Sequence, residues 1–119
     1  MAADQVEISL PKTIVLEEST FPATAFFRTR ATKAATAPTT IRYRVDDLKT
    51  GKILTDWTSV SAAANVTITI TAANNEIQDE ASRLERKQLI VQADAGLSTQ
   101  VNGRVIWKVR NVAGIDLNS

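Results

Sequence analysis

Residues 40–60 read TIRYRVDDLKTGKILTDWTSV, and this stretch decides the fold. Ile41, Tyr43 and Val45 alternate with Arg42, Arg44 and Asp46, the two-residue period of a strand with one apolar face. Asp47 to Gly51 follow as a turn in which the glycine is free to take a positive φ. Ile53 to Val60 return as the partner strand, with Trp57 as the large apolar anchor. The unit is a β-hairpin, and strand signals continue on both sides of it.

Upstream, Val6, Ile8 and Leu10 alternate with Glu7 and Ser9, Pro11 interrupts, and Ile14 and Leu16 resume. Proline has no N–H for a central ladder, so this reads as an edge strand that breaks and continues. Ala23 to Arg30 form a second strand, and Ala31 to Pro38 a small, polar loop. Downstream, Val66, Ile68 and Ile70 alternate with Thr67, Thr69 and Thr71, a half-buried strand. Leu89 to Ala93 make the next one, and Val105, Trp107 and Val109 share a face of the last. Asn102-Gly103 before it has the composition of a tight turn. One segment has helical spacing: Asn75 as cap, then Ile77, Ala81 and Leu84 at i, i+4 and i+7, predicting a short helix over 75–87.

About seven short strands separated by turn signals predict an all-β fold, an immunoglobulin-like antiparallel β-sandwich with one short crossover helix. A jelly roll is the alternative and usually needs more strands. The 119 residues fit one domain spanning 1–119, with 1–4 and 114–119 expected as flexible tails. A chain of this length buries roughly 65% of its unfolded surface, enough for a core without staples.

Composition then narrows the chemistry. The chain has no cysteine and no histidine. Disulfides, thiolate metal sites and Ser–His–Asp or Cys–His catalysis are therefore excluded. Asp46 and Asp47 are adjacent, so in an extended chain they point to opposite sides and form no glycosidase pair. Asn74, Asn75, Glu76, Asp79 and Glu80 lack the spacing and glycine of a calcium loop, and read as a solvated helix start. The four glycines are scattered rather than gathered in a phosphate loop. The expectation is a protein that is not an enzyme and takes no metal, cofactor or small-molecule substrate.

With 14 basic and 13 acidic residues the net charge is +1, unlike a domain built to grip nucleic acid. The first residues carry acids and no apolar h-region, and no apolar run approaches the ~18 residues of a membrane span. Synthesis in the cytoplasm without a membrane partner is expected, so the Asn65-Val66-Thr67 sequon reads as the start of a strand.

If the Tyr43 strand and the last strand share a sheet, their outward positions make one strip: Arg42, Arg44, Arg104, Ile106, Lys108 and Arg110, with Ile90 and Gln92 between. A solvated sheet face with packed aliphatic stems accounts for it. A contact surface for an acidic protein partner accounts for it too, since arginine and apolar residues together suit interfaces. Tyr43, Trp57, Trp107 and Phe27 fall on the inferred core faces, which leaves no aromatic among the cations to stack a base. Phe26 shares a face with Thr24, Arg28 and Arg30, pointing outward.

Pro38 to Asp46, with Gly51 and Trp57 to Val60, resembles the central hairpin of fibronectin type III-like domains. With Leu84 to Asp94 added, the set is similar to small proteins encoded in the structural modules of tailed bacteriophages and prophages, over residues 20 to 112. The resemblance rests on core and turn signatures and carries no catalytic motif. It implies a virion component, a capsid decoration protein or an accessory of the neck or tail, present in many copies and bound to other virion proteins. Residues 115 to 119 fall outside the match and are expected to order only against a neighbour. A free-standing adhesion or carbohydrate-binding module is the alternative, and it requires an exposed aromatic platform.

Overall fold

The alternating segments pair into two sheets in the computed structural model, which describes residues 3–79, 81 and 83–111. The strands are β1 Gln5–Ser9, β2 Ile14–Leu16, β3 Phe21–Arg28, β4 Ile41–Asp47, β5 Ile53–Val60, β6 Asn65–Ile70, β7 Leu84–Ala93 and β8 Val101–Arg110. One sheet has the order β1-β3-β6 and the other β2-β8-β7-β4-β5. The fold is an all-β sandwich. Neighbours are antiparallel except β2, which runs parallel to β8. The edge strand breaks around Pro11 as expected from its missing N–H, and it resumes as β2 at the edge of the other sheet.

Period-two alternation fills the space between the sheets. Phe21, Ala23, Ala25 and Phe27 of β3 and Ile68 and Ile70 of β6 face Ile41, Val45, Leu89, Val91, Trp107 and Val109, all buried. Phe21 meets the Trp107 ring edge-on, with centroids 5.4 Å apart and planes at 88°. Each large side chain buried here contributes about 1.5–3 kcal/mol. Trp107 also donates its indole N–H to Asn75 Oδ1 at 2.7 Å, while Asn75 Nδ2 donates to Ser19 O at 2.7 Å.

Two local expectations are corrected. The segment expected as a helix over 75–87 holds a 3₁₀ turn, Ala73–Asn75, and its second half belongs to β7, which begins at Leu84 rather than Leu89. Helical spacing loses because Glu85 and Lys87 continue the inward alternation of Leu89, Val91 and Ala93, and both are fully buried. Two charges at core positions hid the strand.

Asn102-Gly103 is not a turn either; it lies inside β8, which starts at Val101, and the reversal falls at Asp94 to Gln100 with Asp94 (φ 54°) and Gly96 (φ 82°) left-handed. Gly103 serves a close approach instead. A Cβ placed there sits 2.5 Å from Val6 Cγ1, so β1 can cross β8 only over a glycine.

Glu85 and Lys87 are stabilised at the pole where β7 begins and β4 ends. Asp47 and Lys87 are direct cross-strand partners. The Lys87 ammonium donates to Asp47 Oδ1 at 3.0 Å, Glu85 Oε1 at 3.0 Å and Glu76 O at 2.8 Å, one acceptor for each proton. Glu85 also accepts from the Gln78 and Asp79 N–H groups at 2.7 and 2.8 Å. Asp47 Oδ2 accepts from the Thr50 N–H at 2.9 Å and the Thr50 hydroxyl at 2.6 Å.

At the opposite pole Asp94 accepts from the Thr39 and Thr40 N–H groups and the Thr99 hydroxyl, tying two loops together. Ala3 and Asp4, expected in a tail, are fastened: Ala3 is buried, Asp4 N donates to Arg28 O at 3.1 Å, and its carboxylate accepts from the Arg30 N–H. Residues 1–2 and 112–119, which include the rest of the expected tails, lie outside the described residues.

Gly103→Ala is expected to destabilise the chain by about 1–3 kcal/mol through overpacking, and Val6→Ala in the same chain to recover part of that loss, as read by denaturant unfolding. A second expectation concerns acid. Burial pushes the Asp47 and Asp94 pKa values up, but the Thr50 and Lys87 contacts on Asp47, and the Thr40, Thr39 and Thr99 contacts on Asp94, bring both below the ordinary 3.8. A depressed folded pKa gives stability that is present above the unfolded value and lost as pH falls through the folded one. Through Asp94 the melting temperature is therefore expected to hold from neutral pH to about 5 and to drop below about 4. Asp94→Asn should start lower by about 1–2 kcal/mol and show a shallower acid limb.

Candidate protein-contact face

The outer surface of the five-stranded sheet follows from the ladder. Residues opposite one another on adjacent strands share a face, so Arg44, Ile90 and Arg104 form one row across β4, β7 and β8. Arg42, Gln92 and Asn102 form the row on one side of it; Asp46, Gln88 and Ile106 form the row on the other. Arg86 pairs with Lys108 and Leu84 with Arg110 at the end near the buried ionic pole. All seven residues expected in the contact strip (Arg42, Arg44, Ile90, Arg104, Ile106, Lys108 and Arg110) therefore lie on one face.

The structure divides them into two halves. On the β4–β5 side the cations are engaged. The Arg42 guanidinium stacks over the Trp57 ring at 4.2 Å and donates to Gln92 Oε1 at 2.8 Å. Arg44 lies 5.2 Å from the same ring and donates to Asp46 Oδ2 at 3.0 Å, an oxygen that also accepts from Gln88 Nε2 at 2.9 Å. Arg44 is 28% exposed and Asp46 only 8%, so this pair is partly withdrawn from water.

Trp57 was expected in the core and stands on the outer face instead. The ladder between β4 and β5 shifts register between Tyr43 and Val45, so the later half of β5 presents the opposite phase. A one-residue slip moves every side chain across the sheet. Tyr43 is half-buried against the core, and Phe27 and Trp107 are buried as expected. Phe26 sits on the outer face of the smaller sheet, half-buried under Arg28, whose guanidinium is 5.7 Å from the ring.

On the β7–β8 side the cations stand in water. Arg86, Arg104, Lys108 and Arg110 are exposed, and the three ion pairs among the described residues (Arg44–Asp46, Lys87–Asp47 and Lys87–Glu85) include none of them. Aliphatic side chains surround this group. Because β2 is parallel to β8, Ile14 pairs with Lys108 and Leu16 with Arg110, carrying both onto the same face at 46% and 50% exposure. Leu84 (43%) and Leu48 (38%) complete the surround. A depression of about 410 Å³ opens here, lined by Leu48, Lys49, Leu84, Glu85, Arg86 and Lys108.

Sequence reading missed Leu84 and Arg86 because β7 was started too late, and Leu48 because it was read only as part of the hairpin turn. Extending the alternation back from Leu89 would have found the first two. Ile14 and Leu16 carried no such signal, since only the parallel pairing of β2 brings them beside Lys108 and Arg110.

No family model matches the chain, and no curated protein matches it. Among solved structures it is similar to a conjugative transposon lipoprotein from Bacteroides eggerthii, with 14% identity, 86% of this chain and 93% of that chain covered, and a TM-score of 0.46.

The two tryptophans give this face an optical readout. Trp107 is 1% exposed, whereas Trp57 is half-buried beneath arginines. Trp107→Phe should leave an emission that iodide quenches readily, the anion being drawn to the arginines. Trp57→Phe should leave a blue-shifted emission that iodide barely touches.

Proposed function

We propose that this chain is a non-enzymatic structural subunit that binds acidic neighbouring proteins through the β8–β7–β2 half of its outer face. The observation that carries this reading is the set of four exposed cations with no ion pair among the described residues, set among four exposed aliphatic side chains. Cations in open water gain little, and exposed aliphatics gain nothing until something covers them. An acidic, partly apolar surface satisfies both, with charge steering the encounter and apolar burial holding the contact. Three strands facing five, with the first strand divided between the sheets, support an immunoglobulin-like description of the sandwich.

The setting we propose is a tailed-phage particle, where the chain serves as a decoration or neck/tail accessory subunit in many copies. The support for that setting is the resemblance of residues 20 to 112 to small phage structural proteins. The Arg42–Trp57–Arg44 stack bears on the alternative. A carbohydrate-binding module needs an open ring, and here a guanidinium lies 4.2 Å above the Trp57 centroid.

The test is Arg104→Glu with Lys108→Glu, two exposed positions outside the Arg44–Asp46 network. The variant should keep its melting temperature within about 1 °C, since surface substitutions of this kind change stability little. It should lose on the order of tenfold or more in occupancy on particles, read as copies per virion. Unchanged occupancy in a folded variant overturns the face. Glycan-array binding that disappears in Trp57→Ala would favour the carbohydrate reading instead.

A further inference from the structure

The ionic pole is a set of buried reactive groups for which the contact role has no use. Lys87, Asp47 and Glu85 have no side-chain exposure. The amine nitrogen of Lys87 lies 3.0 Å from Asp47 Oδ1, an oxygen bonded directly to the carboxyl carbon, and 3.0 Å from Glu85 Oε1. A nucleophile, an electrophilic carbon and a second carboxylate that touches the nucleophile are thus held together away from water. Reacting groups held together in this way are where intramolecular reactions gain most. We propose that Lys87 and Asp47 join in an intramolecular isopeptide bond, with Glu85 carrying the proton.

The step balances without an oxidant or reductant. Proton transfer along the 3.0 Å contact turns the ammonium and carboxylate into an amine and a carboxylic acid, the minor neutral pair from which the reaction proceeds. Lys87 Nζ then attacks Asp47 Cγ and an N–C bond forms. Negative charge develops on Oδ2, where the Thr50 N–H at 2.9 Å and hydroxyl at 2.6 Å already point. Glu85 takes a proton from Nζ and delivers it to Oδ1. The Cγ–Oδ1 bond breaks, that oxygen leaves as water, and Glu85 is again a carboxylate. Ammonium plus carboxylate has become amide plus water. Glu85 is held for this transfer by the Gln78 and Asp79 N–H groups.

The product fastens β4 to β7 at their direct pairing point, so the 40–60 hairpin cannot peel from the sheet. A covalent clamp of this kind suits a subunit that must survive mechanical load, though the chemistry stands independently of any particle.

The experiment is the intact mass of the purified full-length chain, denatured before measurement. The expected result is a mass lower by one water than the sequence requires, with a protease digest yielding one branched peptide that joins Asp47 to Lys87. Lys87→Arg and Glu85→Gln should both restore the full mass. A wild-type chain at its full sequence mass overturns the proposal, as does a water loss that maps to other residues. Persistence of the bond in Glu85→Gln overturns the proton-transfer role. The wild-type measurement decides the bond even if a variant fails to fold.

Discussion

A lysine with no exposure sets the terms for this sandwich. A buried ammonium is costly unless every proton finds an acceptor, and Lys87 finds three. Those acceptors belong to three segments: the end of β4, the start of β7, and the loop at Glu76. Satisfying one side chain therefore fixes the β4–β7 register, the turn from Asp47 to Gly51 and the path of the chain between β6 and β7. A one-residue slip of β7 would turn Lys87 and Glu85 outward together and strand Asp47 inside without a partner. The ionic pole adds little net stability by itself; its effect is to exclude other registers.

The same strand that carries the pole also carries the contact face. Along β7, Glu85, Lys87, Leu89 and Val91 point inward while Leu84, Arg86, Gln88 and Ile90 point outward. Fixing the inward set fixes the outward one, since the strand has only two faces. The exposed patch beside Lys108 and Arg110 thus has its geometry set by groups on the far side of the sheet.

Within the outer face, charge is used in two ways. Near β5 the cations are consumed internally: Arg42 and Arg44 cover Trp57, and Asp46 balances Arg44. Near β2 they are left to water beside uncovered leucines and isoleucine. The first half behaves as an extension of the fold, a second small core of stacked planes. The second half is where an approaching protein meets charge and apolar surface together.

From its amino acids alone this chain declared a β-protein, because alternation over Ile41 to Val45, Val66 to Ile70 and Val105 to Val109 allows little else. The edge break at Pro11 and the membership of the basic strip were legible for the same reason: period and proline chemistry are local. What the sequence could not display was any choice that depends on a distant partner. Glu85 and Lys87 look like surface residues until Asp47 is placed opposite them, and so a strand was read as a helix. Gly103 looks like a turn until Val6 crosses above it. Trp57 looks like core until a register shift at Tyr43 turns it outward. Each of these is a contact between residues far apart in the chain, and its energy exists only once the sheets have closed.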